Sequence, residues 1–246
     1  MKKTTTILCL GIALCMLGCS DDDDQVTTTS TVPFSLTASL SPRSSDAEDT
    51  GILQGNWDAN SQLAVIKTGS SGVPKSILTR KTDSSDTFTG NLSTLVKNEN
   101  EIAVFYPAAA ITANSSDTLT QTLNLSGQDG TLAGITNYDY LWAQCKAGMN
   151  ETTGSSACEM TSLVTIGKFQ FTVNGGSPLN NITRITITAT AGTLYSSAVM
   201  KLKNGEFSST QTGNITIKNK AGISGTTYIS FFLPKHSCIS LLLPHR

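Results

Sequence analysis

Thr31-Val32-Pro33-Phe34-Ser35-Leu36-Thr37-Ala38-Ser39-Leu40 is the stretch that decides the fold. Val32, Phe34, Leu36, Ala38 and Leu40 share one parity, and Pro33, Ser35, Thr37 and Ser39 take the other. A period of two puts the first set on one face of an extended chain, which is the pattern of a strand buried on one side. The same period returns downstream. Leu119, Leu123 and Leu125 share a parity with Gln121 between them, as do Phe169, Phe171 and Val173. Ile185, Ile187 and Ala189 alternate with Arg184, Thr186 and Thr188, and Ile215 and Ile217 with Thr216 and Lys218.

Between these runs lie Gly- and Ser-rich breaks: Gly69 to Gly72, Gly127 to Gly130, Gly175 to Pro178 and Gly222 to Gly225. Recurrent turn signals between short alternating runs predict an all-β chain folded as an antiparallel β-sandwich. No window after residue 18 sustains a 3.6-residue apolar stripe, so any helix is expected to be short. Only 14% of the residues are charged, and the chain is rich in Thr, Ser, Asn and Gly, which suits sheets with polar outer faces.

The amino terminus gives a place of work. Lys2 and Lys3 precede an apolar run from Ile7 to Leu17, the layout of a secretory signal and too short to span a bilayer. Leu17-Gly18-Cys19-Ser20 then resembles the lipobox of bacterial lipoproteins, which implies removal of residues 1–18 and acylation of Cys19. Several acyl chains together give the stable anchoring that one alone does not. Asp21, Asp22, Asp23 and Asp24 follow at once. This run resembles the acidic export signal that sends lipoproteins of the Bacteroidetes to the outer face of the outer membrane. Residues 19–31 read as an acidic and polar tether. Removing 18 of the 246 residues leaves 228, enough for one large or two modest domains. Loss of Lys2 and Lys3 takes the 17 basic residues to 15 against 18 acidic ones, a weak balance without the basic footprint of a nucleic-acid binder.

Three segments, in order, carry a family resemblance. They are Asn56-Trp57-Asp58-Ala59-Asn60-Ser61-Gln62-Leu63-Ala64-Val65, Ile102-Ala103-Val104-Phe105-Tyr106-Pro107 and Asn137-Tyr138-Asp139-Tyr140-Leu141-Trp142-Ala143, the last after a turn with Gln128 and Gly130. Behind an acidic lipobox, this series resembles the fimbrillin-like surface lipoproteins of the Bacteroidetes. The resemblance implies two transthyretin-like β-sandwich domains, residues 32–160 and 161–246, the second expected to be incomplete. It also implies a lipid-anchored fimbrial or adhesive subunit at the cell surface, whose partners are other fimbrial subunits or copies of itself.

In polymerising relatives a protease cuts after an Arg in the loop following the first strand. That strand then leaves, and one from the next subunit takes its place. Here Val32, Phe34, Leu36, Ala38 and Leu40 fit the exchanged strand, at the sandwich edge before cleavage, and Arg43 fits the cut site. The backbone hydrogen bonds an edge leaves open are what an incoming strand satisfies.

Catalytic groups are scarce. His236 and His245 are the two histidines, both within the last eleven positions, so no triad or general base is expected. No phosphate loop, zinc-type cysteine pairing or calcium loop is present in the sequence, and neither cofactor nor metal is expected. Beyond Cys19, the mature chain has Cys145, Cys158 and Cys238. Cys145 and Cys158 flank a Gly-, Ser- and Thr-rich loop, and are either a bridge across a hairpin tip, adding about 3 kcal/mol, or two free thiols. Trp57, Tyr138, Tyr140 and Trp142 are either buried core aromatics or a sugar-binding platform. The platform goes with a rival function, a monomeric surface lipoprotein binding a glycan or host ligand.

Overall fold

Among the described residues the secondary structure is sixteen strands, one four-residue α-helix and three short 3-10 helices. The computed structural model describes residues 30–42, 49, 51–69, 73–82, 86–112, 120–172, 176–188, 193–223 and 225–232. The strands are β1 (Thr31–Ser39), β2 (Gln62–Lys67), β3 (Ser76–Arg80), β4 (Thr87–Ser93), β5 (Glu101–Tyr106), β6 (Thr120–Asn124), β7 (Leu141–Lys146) and β8 (Gly148–Met149). Then follow β9 (Gly154–Glu159), β10 (Thr161–Ser162), β11 (Thr165–Gln170), β12 (Ile182–Ile187), β13 (Tyr195–Lys201), β14 (Phe207–Thr212), β15 (Ile215–Ile223) and β16 (Thr226–Phe231). Helix α1 (Leu132–Ile135) starts where the Thr131 hydroxyl accepts from the Gly134 amide at 2.9 Å, a side-chain cap. Among the described residues no helix is long and apolar enough to cross a membrane.

A nine-stranded sheet runs in the order β10-β7-β5-β2-β3-β4-β1-β9-β8, beside smaller sheets β14-β13-β6, β11-β16 and β12-β15. The all-β, sandwich-like expectation holds, with one correction. The large sheet is mixed, because β1 pairs antiparallel with β4 but parallel with β9, from Phe34 opposite Gly154 to Ser39 opposite Glu159. The expected edge position of β1 is corrected too, since β1 is an interior strand with ladder partners on both sides.

Burial explains which strands alternate. In β1, Val32, Phe34, Leu36 and Ala38 are buried and Thr31, Pro33 and Thr37 are exposed, because one face meets a core and the other water. In β2 and β5 the apolar residues run on without alternation, and both faces are buried. Leu63, Val65, Ile102 and Val104 face the same core as β1, while Ala64, Ile66 and Phe105 face a second core built with the smaller sheets. A sheet covered on both sides loses the period of two.

The second core draws residues from both sides of positions 160 and 161. β6, in the first half of the sequence, pairs with β13, and β10 pairs back onto β7. Tyr140 joins the two halves. Its ring stacks between Phe105 (centroids 6.2 Å apart) and Phe232 (6.0 Å), and its hydroxyl donates to the Asn124 carbonyl at 2.9 Å. Gln128, 1% exposed, donates to the Ser230 carbonyl at 3.2 Å and accepts from the Ser230 amide at 2.7 Å, satisfying a buried stretch of β16.

Candidate functional site: the slot around the first strand

β1 lies in a slot whose two walls are hydrogen-bonding strands and whose floor is the first core. On the β4 side the register runs from Thr31 opposite Ser93 to Thr37 opposite Thr87, and the Ala38 amide continues it by donating to the Asp86 carbonyl at 2.9 Å. On the β9 side, the Ser39 hydroxyl donates to the Cys158 carbonyl at 3.3 Å, and the Met160 amide donates to the Ser39 carbonyl at 3.0 Å. The Thr94 amide donates to the Ser30 carbonyl at 2.8 Å at the other end. Of the expected exchanged-strand residues, Phe34, Leu36 and Ala38 point into the floor, Val32 is buried on the same side of the strand, and Leu40 is half-buried where the strand ends.

The floor is keyed to the strand. Phe34 lies opposite Gly90 on β4 and Gly154 on β9. A Cβ on Gly154 would stand 2.7 Å from the Phe34 ring, and one on Gly90 would stand 2.6 Å from the Ile77 carbonyl oxygen. Trp57 closes the far end. Its indole nitrogen donates to the Ala38 carbonyl at 2.6 Å, and its ring meets Phe88 and Tyr106 edge-on, with centroids 5.0 and 5.3 Å away.

Past β1, the next described residue beyond Pro42 is Asp49, and it is held firmly. Its Oδ1 accepts from the Tyr228 hydroxyl at 2.6 Å and sits 3.2 Å from the Lys168 ammonium. Burial first, and the Asp49 carboxylate second, push the Tyr228 hydroxyl above its ordinary pKa. This anchor had no sequence signal, since Asp49 stands in a polar loop 179 residues from its partner.

Cys19, Asp21, Asp22, Asp23, Asp24 and Arg43, the signal segment and the stretch with His236, Cys238 and His245 lie outside the described residues. Cys145 and Cys158 lie within them, on β7 and β9, as half-buried free thiols side by side on the first core. Trp57 and Tyr140 are buried at 2% and 5% exposure, and Trp142 donates its indole hydrogen to the Leu202 carbonyl at 2.9 Å. Trp57 and Tyr140 are thus core aromatics, the first of the two readings offered, while Tyr138 and Trp142 are half-buried against the second core. A cleft of about 470 Å³ is lined by Leu53, Leu132 and Ile135 with the carboxylates of Asp58 and Asp139.

The geometry defines a class: an all-β, sandwich-like protein whose first strand fills a two-walled slot. No protein-family model matches the chain, and no curated protein matches it. The fold is similar to that of a candidate cell adhesion protein from Bacteroides ovatus, with a TM-score of 0.51 at 15% identity over 82% of this chain and 78% of that one. A candidate cell adhesion protein from Bacteroides uniformis gives a TM-score of 0.46 at 14% identity, over 82% and 75% of the two chains. A fimbrial assembly protein from Parabacteroides distasonis gives 0.38 at 12% identity, over 82% and 86%. The first is a likeness of fold, and the other two are too loose to argue from.

Proposed function

We propose that the chain is a structural or adhesive subunit of surface fimbriae, held to the outer membrane by lipid on Cys19 and carried to the cell exterior by Asp21 to Asp24. In this reading the lipid holds the uncut precursor; a cut after Arg43 then frees β1 together with the lipidated end, and a strand from a neighbouring subunit takes the slot. The observation that carries it is the interior position of β1, between an antiparallel and a parallel wall, although it is the first strand among the described residues. Removing a strand from such a place opens two ladders at once and uncovers the floor under Phe34 and Leu36. Each large side chain withdrawn costs roughly 1.5–3 kcal/mol. A slot emptied this way demands a substitute strand, the physical condition for head-to-tail assembly. The lipobox, the acidic run and the likeness of fold to a candidate cell adhesion protein support the same reading. The rival reading, a monomeric glycan binder, is weakened because Trp57 and Tyr140 are committed to the core.

Cells carrying the full-length gene test this directly. Expected are filaments by negative-stain electron microscopy, ladders on unheated detergent gels, and a surface form beginning at Ser44. Palmitate label is expected on the uncut wild-type precursor, which still carries Cys19, and absent from Cys19→Ala. A surface form that still begins at Cys19 and runs only as a monomer overturns the assembly reading, and label retained in Cys19→Ala overturns the anchor.

A further inference from the structure

Two thiols meet where the nine-stranded sheet comes back on itself. β7 lies near one end of the strand order and β9 near the other, and the two are not ladder neighbours. The sheet nevertheless wraps far enough round the first core to bring them together, for the Ser156 hydroxyl on β9 donates to the Lys146 carbonyl on β7 at 2.7 Å. Leu141, Ala143 and Cys145 of β7 turn inward, as do Cys158 of β9 and Met160 just beyond it, all into one cluster. Cys145 and Cys158 lie in that cluster as neighbours, near enough for each to shift the other's ionisation. The Ser156 hydroxyl oxygen stands 3.3 Å from the Cys145 sulfur, and the Cys158 sulfur stands 3.9 Å from that of Met160.

We propose that Cys145 and Cys158 are a redox pair that closes to an intrachain disulfide, stapling β9 to β7 across the seam of the sheet. Their surroundings give the two sulfurs different parts. Cys158 beside it, against the effect of burial, holds the Cys145 thiol below its ordinary value, which favours a thiolate there. Cys158, set against Cys145 and largely buried, is pushed up and keeps its proton.

Cys145 is therefore the attacking sulfur and Cys158 the resolving one. With a disulfide RSSR as oxidant, the Cys145 thiolate attacks one sulfur, forming a Cys145–S–R bond and expelling RS⁻. Cys158 then gives up its proton and attacks the Cys145 sulfur, expelling the second RS⁻. Two thiols lose two protons and two electrons, and one RSSR becomes two RSH. Because β9 is a wall of the β1 slot, the staple also holds that wall when β1 is absent. Only this last consequence rests on the strand-exchange reading.

The test uses the full chain with Cys19→Ala, reduced and then exposed to oxidised glutathione. Free thiols are alkylated, and the protein is peptide-mapped without reduction. Expected is a peptide linked through Cys145 and Cys158, with Cys238 alkylated. Cys158→Ser is expected to accumulate glutathione on Cys145, and Cys145→Ser to leave Cys158 at least tenfold slower to react. Both cysteines alkylated in the wild-type body, a link to Cys238 instead, or equal reactivity of Cys158 in Cys145→Ser overturns the proposal. The wild-type map stands without the variants. Filament formation is scored separately, so a bridged monomer sinks strand exchange alone, and unbridged filaments sink the staple alone.

Discussion

Phe34 of β1 lies opposite Gly154 of β9, so close that a Cβ on the glycine would stand 2.7 Å from the ring carbon Cδ2. The missing side chain is the space the aromatic ring uses. Phe34→Ala is expected to destabilise the protein by about 3–5 kcal/mol, as for other buried aromatics. Gly154→Val overpacks the same place and costs about 1–3 kcal/mol, because the Phe34 ring and the Met149 sulfur must both move. In the double variant the valine occupies the hole left by the ring, so the combined loss falls short of the sum. Urea unfolding of the four proteins measures this, and strict additivity would show that the two sites do not share a cavity.

Trp57 fastens the other end of the strand through the Ala38 carbonyl. Trp57→Phe keeps an aromatic ring near Phe88 and Tyr106 but removes the donor and part of the volume. An orphaned buried carbonyl costs about 1–3 kcal/mol, and the smaller ring adds a packing loss of similar size. Hydrogen exchange should locate the effect. Amides of β1 are expected to exchange faster relative to those of β5, and a uniform change across the sheet would mean that Trp57 supports the core generally rather than the strand.

How much of this was legible varies with what covers each strand. Val32 to Ala38 could be read because one face of β1 meets water. The same holds for Ile185 and Ile187, and for Ile215 and Ile217, which are buried while Arg184, Thr186 and Lys218 are exposed. Leu63 to Ile66 carry no period because cores lie on both sides, and only their uninterrupted apolar character hints at it. The parallel pairing of β1 with β9 was invisible, since alternation says which face a residue takes and nothing about which strand lies beside it. The pairing of β6 with β13 was hidden for the same reason, and it cuts across the expected division at residue 160. Of the slot, the strand was foreseen; the glycine beneath Phe34 and the anchor at Asp49 were not, because each takes its meaning from a distant partner.

That anchor makes its own prediction. Asp49 is 4% exposed, holds the Tyr228 hydroxyl and pairs with Lys168, whose side chain is 28% exposed. Asp49→Ala leaves a buried hydroxyl and a partly desolvated ammonium without this acceptor, an expected loss of about 2–4 kcal/mol. Tyr228→Phe removes only the donor and costs about 1–2 kcal/mol. Their double variant should lose less than the sum, because both act through one oxygen. If the chain is cut after Arg43, as proposed, Asp49 keeps the new end on the body, and Asp49→Ala should make that end more sensitive to aminopeptidase. Equal trimming in both proteins would show that the end is held elsewhere.

Tyr140 ties stability to pH at the alkaline end. Burial between Phe105 and Phe232 pushes its hydroxyl up to about 12, and ionisation would turn the donor to Asn124 into an anion facing a carbonyl. In the unfolded chain the same group ionises near its ordinary value of 10. Below that pH both states hold the proton, and the contribution is intact. As pH rises from 10 toward 12 the unfolded state sheds its proton first, so folding loses roughly 2–3 kcal/mol at this residue. Tyr140→Phe removes the titration and costs about 1 kcal/mol at neutral pH through the lost hydrogen bond. Wild type is therefore the more stable protein at pH 8 and the less stable near pH 12, and the two curves should cross between. Tyr228, also shifted upward, is present in both proteins and cancels in the difference, while Tyr138 adds to the rise at Tyr140. Urea unfolding at steps from pH 8 to 12 reads the crossing, and parallel curves throughout would mean that Tyr140 ionises as freely in the fold as outside it.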